Sequence, residues 1–271
     1  MFKSKNKIRF SMHFAAAPTL LVLFAATVLM CGCGKDRPTE ELLNEAVKYG
    51  KNGQWEDCEK SALEVLKEKP DNAHALLLRA IAAENLGQNE VALESAKQAS
   101  ENAPGDFSAQ YTYGRMLAQY PEKTKNAIQV LKRARELKKN HASTLMLLGQ
   151  CCLRINSPEA IGYFRMLPKH LRETPEVRTC MAIYYIGRMD VDPDNKKVAM
   201  EALYLAYKAA PENPVVVLNM AFFLDQYYRK NRKGREKAIG FYRRYLLLTM
   251  NNPEVNPTRA QVQQRISKLR Y

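Results

Sequence analysis

The sequence predicts an all-α chain: an α-α superhelix of about six helix-turn-helix units, closed by one more helix and preceded by an export signal. Two observations predict the helical units. Small residues recur at Ala46, Ala80, Gly114, Gly149, Ala182 and Ala221, in steps of 34, 34, 35, 33 and 39 residues. A second series keeps step at Cys58, Ala92, Ala127, Ala160, Ala199 and Ala238, each followed four and seven residues later by Ala62/Val65, Ala96/Ala99, Leu131/Ala134, Phe164/Leu167, Leu203/Ala206 and Tyr242/Tyr245. Spacings of three and four put such residues on one helical face. The third observation is the amino terminus, which is basic and then apolar.

In chain order, the first thirteen residues carry Lys3, Lys5, Lys7 and Arg9 with no acidic residue, and the uncharged run Phe14–Met30 follows. This is the layout of a secretory signal. At seventeen residues the run is at the lower edge of what crosses a bilayer as a helix, so a retained signal-anchor in the inner membrane is the rival reading. In both cases the basic cluster stays in the cytoplasm and the remainder crosses.

The residues Leu29, Met30, Cys31, Gly32 and Cys33 end this run, and the segment resembles a bacterial lipobox, with Met30 where that family prefers Leu. The resemblance implies cleavage before Cys33, with Gly32 as the small residue ahead of it, and acylation of Cys33. Two or more acyl chains suffice for stable anchoring. Gly34 stands where an Asp causes retention in the inner membrane, which implies an outer-membrane lipoprotein facing the periplasm. The expected layout is a signal peptide over 1–32, a tether over 33–38, the repeats over 39–252 and a capping helix over 256–271.

The repeat residues themselves carry a second resemblance. Ala46, Tyr49, Gly53, Cys58, Ala62 and Pro70 in the first unit, and Ala80, Gly87, Ala92, Ala96 and Pro104 in the second, match the tetratricopeptide-repeat family. In that family a 34-residue helical pair has a small residue in each helix at the point of closest approach. Lys139 replaces the proline of the third unit, and the fifth ends on Pro211. Units five and six each gain five residues, read as longer turns at about 189–197 and 228–234. The first insert alternates Asp190, Asp192 and Asp194 but lacks the glycine and late glutamate of a calcium loop, so it reads as a plain loop. After Pro257, Thr258–Tyr271 reads as the capping helix, with Val262, Ile266 and Leu269 on one face and Arg259, Arg265, Lys268 and Arg270 elsewhere.

The family resemblance implies that first helices line a concave face that binds a peptide or helix of a protein partner. Positions counted from the small residues give Leu77, Ile81, Tyr111, Arg115, Met146, Gln150, Thr179, Ile183, Leu218, Asn219 and Phe222: an apolar channel with a few polar points. The Lys and Asn pattern that grips an acidic chain terminus is not visible.

Charge adds a second surface. The chain holds 42 basic and 28 acidic residues; 228–271 holds twelve basic and two acidic, and 33–227 balances at 26 of each. Arg229, Lys230, Arg232, Lys233, Arg235 and Lys237, followed by Arg243 and Arg244, form a patch that attracts anionic partners or keeps that end solvated. Export argues against nucleic acid as the target and leaves anionic lipid, an anionic envelope polymer or an acidic protein face.

No phosphate loop, nucleophile elbow or zinc helix occurs, and His13, His74, His141 and His170 are isolated. His74 and His141 open units, where an exposed polar residue is ordinary. Cys58, Cys151, Cys152 and Cys180 lack metal spacing and read as small buried residues, with a bridge from Cys180 to Cys151 or Cys152 the one pairing to check. The expectation is no enzyme, no metal and no cofactor, but a membrane-anchored scaffold supporting an envelope protein complex. The alternative is a module attaching to anionic lipid or cell-wall polymer through its basic segment.

Overall fold

The computed structural model describes residues 38–252, 254–255 and 257–270. The expected signal, the lipidation site Cys33 and the tether up to residue 37 lie outside the described residues. Among the described residues there are fourteen α-helices and no strand, and no helix is long and apolar enough to cross a membrane. Two compact units share them, residues 38–155 and 156–270.

The first unit contains α1 (Thr39–Lys51), α2 (Trp55–Glu68), α3 (Ala73–Asn85), α4 (Asn89–Asn102), α5 (Phe107–Ala118), α6 (Thr124–Leu137) and α7 (Ala142–Arg154). The pairs α1/α2, α3/α4 and α5/α6 are antiparallel hairpins, and each second helix also packs on the next first helix. Ala46, Ala80, Gly114 and Gly149 are all buried, as are Cys58, Ala92, Ala127 and the residues four and seven beyond them. Small side chains at these points let the helices approach closely, and Gly114 shows the limit. A Cβ there would stand 2.8 Å from Cγ and Cδ2 of Leu131. The turns inside the first two hairpins use Gly53 and Gly87 at φ 74° and 75°, a left-handed conformation that glycine adopts at no steric cost.

The second unit contains α8 (Ala160–Met166), α9 (Lys169–Arg172), α10 (Pro175–Ile186), α11 (Asn195–Ala209), α12 (Pro214–Tyr228), α13 (Arg232–Leu248) and α14 (Arg259–Arg270). One core joins Ala182, Ala199, Leu203, Ala221, Ala238, Tyr242 and Tyr245 to Val262, Ile266 and Leu269 of α14, so the capping face is the expected one. Helix α8 is short because Pro168 forces Leu167 into extended backbone, ψ 147°. Phe164 and Leu167 are nevertheless fully buried.

The two inserts behave differently. The first is a loop, residues 187–194, in which Asp192 Oδ1 accepts the backbone N–H of Asp194 at 2.9 Å. The second is not a longer turn. Only residues 229–231 separate α12 from α13, and the extra residues lengthen the helices to 15 and 17 residues. Tyr227 and Tyr228, at the end of α12, still pack against the core, and Asn231 caps α13 through the N–H groups of Lys233 and Gly234. The hairpin closes so tightly that a Cβ on Gly234 would stand 2.3 Å from the Tyr228 carbonyl oxygen.

A regular feature of the first helices is their N-cap. Asn72, Asp106, His141, Thr174 and Asn213 each lie eight residues before the unit's small residue and accept a backbone N–H from the first turn. Asn, Asp and Thr caps of this kind stabilise a helix by about 1 kcal/mol. Polar ties between successive repeats recur as well. Lys69 Nζ donates to Thr39 Oγ1, Asn102 Nδ2 to the Asp71 carbonyl and Arg154 Nη1 to the Ala118 carbonyl. In the second unit Arg188 donates to Asn156 and Arg244 to the Pro211 carbonyl.

Candidate functional site

In the first unit α3 touches both α1 and α5, and α5 touches α7, so the first helices stand side by side. Each second helix instead packs chiefly against first helices, which makes the row of first helices the inner face. Ile81, Tyr111, Arg115, Met146 and Gln150 are part-exposed on that row, as expected. Leu77 lies deeper, packed with Leu76, Ala99 and Ala109, and forms floor rather than contact surface.

Two clusters give this face its chemistry. Tyr111 stacks on Phe107 with centroids 5.6 Å apart, and His141 meets both rings edge-on at 5.1 and 4.8 Å. Lys138 Nζ sits 4.3 Å above the Phe107 ring. His141 is therefore half-buried and aromatic-packed rather than an ordinary exposed residue. Burial and the Lys138 charge push its pKa down, and a neutral ring is what accepting the Thr144 N–H at Nδ1 requires.

The second cluster is ionic. Arg115 grips Glu84 through both guanidinium nitrogens, Nη1 to Oε1 at 2.7 Å and Nη2 to Oε2, and the Gln119 amide donates to Oε1 at 2.8 Å. Burial alone would raise the Glu84 carboxyl, but the hydrogen bonds and charge of Arg115, helped by Gln119, hold it below the ordinary value of 4.5. Its stabilising effect is complete above that value and is lost as pH falls through the depressed one. Urea midpoints measured from pH 7 downward should accordingly fall less steeply below about pH 4.5 in Glu84→Gln than in the parent. Parallel curves would refute this reading of the pair.

In the second unit α10 and α12 touch, and Ile183 and Phe222 are part-exposed. Thr179, Leu218 and Asn219 are buried, so they do not belong to an accessible face. Thr179 Oγ1 donates to its own helix at the Pro175 carbonyl, and Asn219 Nδ2 to that of Val215, which satisfies both side chains locally.

The basic patch divides. Arg232 pairs with Glu236 at 2.9 Å in full exposure, while Arg244 donates to the Pro211 carbonyl and lies 5.8 Å over the Tyr207 ring. Arg229, Lys230 and Arg235 line a depression of about 390 Å³ together with Arg265, Lys268 and Leu269 of α14. Arg265 was expected off the apolar face of α14, with no partner assigned to it. Instead its Nε and Nη2 both bond the Asp225 carboxylate, which also accepts from the Tyr242 hydroxyl at 3.0 Å. Burial, then the Asp225 charge, pushes the Tyr242 phenol far up. The lone Asp in the apolar run Val215–Leu224–Asp225 was the signal available in the sequence.

The four described cysteines are buried, and no disulfide joins any two of them. Burial pushes Cys58 and Cys151 up to about 11 and Cys180 to about 12, which removes the thiolate needed for reactivity. No group of three His, Cys, Asp or Glu side chains that could hold a metal ion occurs among the described residues.

Residues 43–107 and 79–142 match the tetratricopeptide repeat family model. The fold is that of a tetratricopeptide-repeat protein. Solved tetratricopeptide-type structures resemble it at low identity. PilF of Pseudomonas aeruginosa is 18% identical, with a TM-score of 0.58 over 86% of this chain and 96% of that one. PilW, described as a widely conserved type IV pilus biogenesis factor, is 16% identical, with a TM-score of 0.59 over 86% and 98%. YrrB, described as a tetratricopeptide protein with an unusual peptide-binding site, is 15% identical, with a TM-score of 0.52 over 76% and 97%. These identities establish a shared fold and nothing finer. No curated protein matches the chain in sequence.

Proposed function

We propose that the chain is a tetratricopeptide scaffold that binds a protein partner along its first helices, and that it does so in the cell envelope, tethered by acylated Cys33. The observation that carries the binding role is the inner face of the first unit. Ile81, Tyr111 and Met146 leave apolar surface part-exposed there, while Arg115 is already neutralised by Glu84. A face of that kind suits the spaced apolar anchors of a helix or extended segment better than an acidic tail. The envelope setting rests on the basic-then-apolar amino terminus and its lipobox-like end, and the fold shared with PilF and PilW fits support of an envelope assembly.

A photo-crosslinking residue placed at Tyr111 or Met146 in the membrane-bound chain should give discrete adducts with an envelope protein. The same residue at the exposed Leu137 on α6 should give none. Equal yield from all three positions, or adducts from none, would end the groove reading. The intact mass of the extracted chain tests the anchor separately: cleavage before Cys33 plus acyl chains supports it, and an unprocessed chain removes it.

A further inference from the structure

We propose that the depression between the α12–α13 turn and α14 is a binding site for a phosphate group, a role separate from the partner face of the first helices. Its walls bring Arg229, Lys230 and Arg235 from one side together with Lys268 from the other, over the buried Leu269. Among the described residues none of these four cations has an acidic partner. Arg235 is held in place by its own hydrogen bond, Nη1 to the Arg229 carbonyl at 2.9 Å. The Asp225 carboxylate that Arg265 meets is spent, because it is bonded by Arg265 and Tyr242. Arg265 thus fixes the wall contributed by α14 without adding an unbalanced charge.

Four cations around one depression repel one another unless an anion joins them. A phosphate group carries up to two negative charges and three acceptor oxygens in one compact unit. Guanidinium forks match that geometry, and lysines add point charges. Carboxylates of an acidic peptide are spread along a chain and would need a stripe of cations rather than one depression. Two of the basic residues outside the depression are engaged elsewhere: Arg232 is paired with Glu236, and Arg244 is turned to Pro211 and Tyr207.

The test is calorimetric titration of the detergent-solubilised full chain at about 0.15 M salt, where exposed charges more than about 8 Å apart are screened. Pyrophosphate is one probe, and short-chain dihexanoyl phosphatidylglycerol below its micelle threshold is the other. Saturable binding of pyrophosphate points to a free phosphate compound, and binding of the phosphatidylglycerol alone points to a lipid headgroup; either outcome supports the site. Lys230→Gln with Lys268→Gln should weaken binding at least about tenfold, the loss expected for removing charge-assisted contacts. Both side chains are exposed, so the fold is spared, which the thermal midpoint checks. Lys237→Gln with Arg243→Gln removes the same charge from exposed positions outside the depression and should leave binding within about twofold. An equal loss in the two double variants overturns the site in favour of bulk charge. Binding of neither probe overturns it outright, and tighter binding of tetraglutamate than of pyrophosphate overturns the choice of phosphate.

Discussion

Replacing Arg265 with alanine is expected to cost about 3 kcal/mol of stability in the unit spanning 156–270, the lower end of the range for breaking a buried ion pair. The loss arises on the side that stays behind. The Asp225 side chain is 2% exposed and keeps only the Tyr242 hydroxyl, whereas the departing Arg265 side chain was 39% exposed and would leave a path for water. That path is why the upper end of the range is not expected. The control is the pair Asp225→Asn with Arg265→Met, which removes the stranded charge and keeps an acceptor for Tyr242, and so should recover most of the loss. Denaturant midpoints and slopes on the three variants decide the matter. A single-variant loss below about 0.5 kcal/mol, the level of ordinary surface changes, would mean that the pair does not hold α14 in place.

Phe164→Ala is expected to cost about 3–5 kcal/mol, the usual range for a large buried aromatic. Phe164 is fully buried on α8, a helix of seven residues that Pro168 cuts short. Such a helix has no further turns over which to redistribute a cavity, and helices of that length are not stable by themselves. Leu247→Ala on α13 provides the contrast: at 69% exposure it should stay within about 0.5 kcal/mol of the parent. If thermal or denaturant unfolding gave Phe164→Ala a loss below about 1.5 kcal/mol, Phe164 would not be the anchor of its repeat.

Much of the architecture is legible in two small-residue series, because the close approach of paired helices admits only Ala, Gly or Cys at fixed phase. Gly114 against Leu131 shows the constraint directly. The caps were equally legible but easily passed over. Asn72, Asp106, His141, Thr174 and Asn213 share a phase without sharing an identity, since the position asks for a side-chain acceptor rather than a particular residue. The candidate face was read less well. Periodicity assigns a residue to a helix side but not to a depth on it, which is why Ile81 and Tyr111 reach the surface while Leu218 and Asn219 do not. Residue counting also placed the second insert in a turn. Whether extra residues become loop or helix depends on whether they still reach the core, as Tyr227 and Tyr228 do, and on where the next cap falls, at Asn231. The ties of Arg115 to Glu84 and Arg265 to Asp225 span 31 and 40 residues, beyond any local pattern.

The polar ties between successive repeats bear on how the chain assembles. Lys69 reaches back 30 residues, Asn102 31, Arg188 32, Arg244 33 and Arg154 36, each about one repeat length. Within either unit, then, ordering a new hairpin closes only a loop of roughly one repeat, and the entropic cost of closure grows slowly with loop length and is incurred in small instalments. Chains dominated by such near-neighbour contacts fold quickly, and repeat arrays grow by adding units to a nucleus that can start in any of them. A lesion in one hairpin is accordingly felt by its immediate neighbours and fades beyond them, so damage to the basic end leaves the Tyr111 face free to fold.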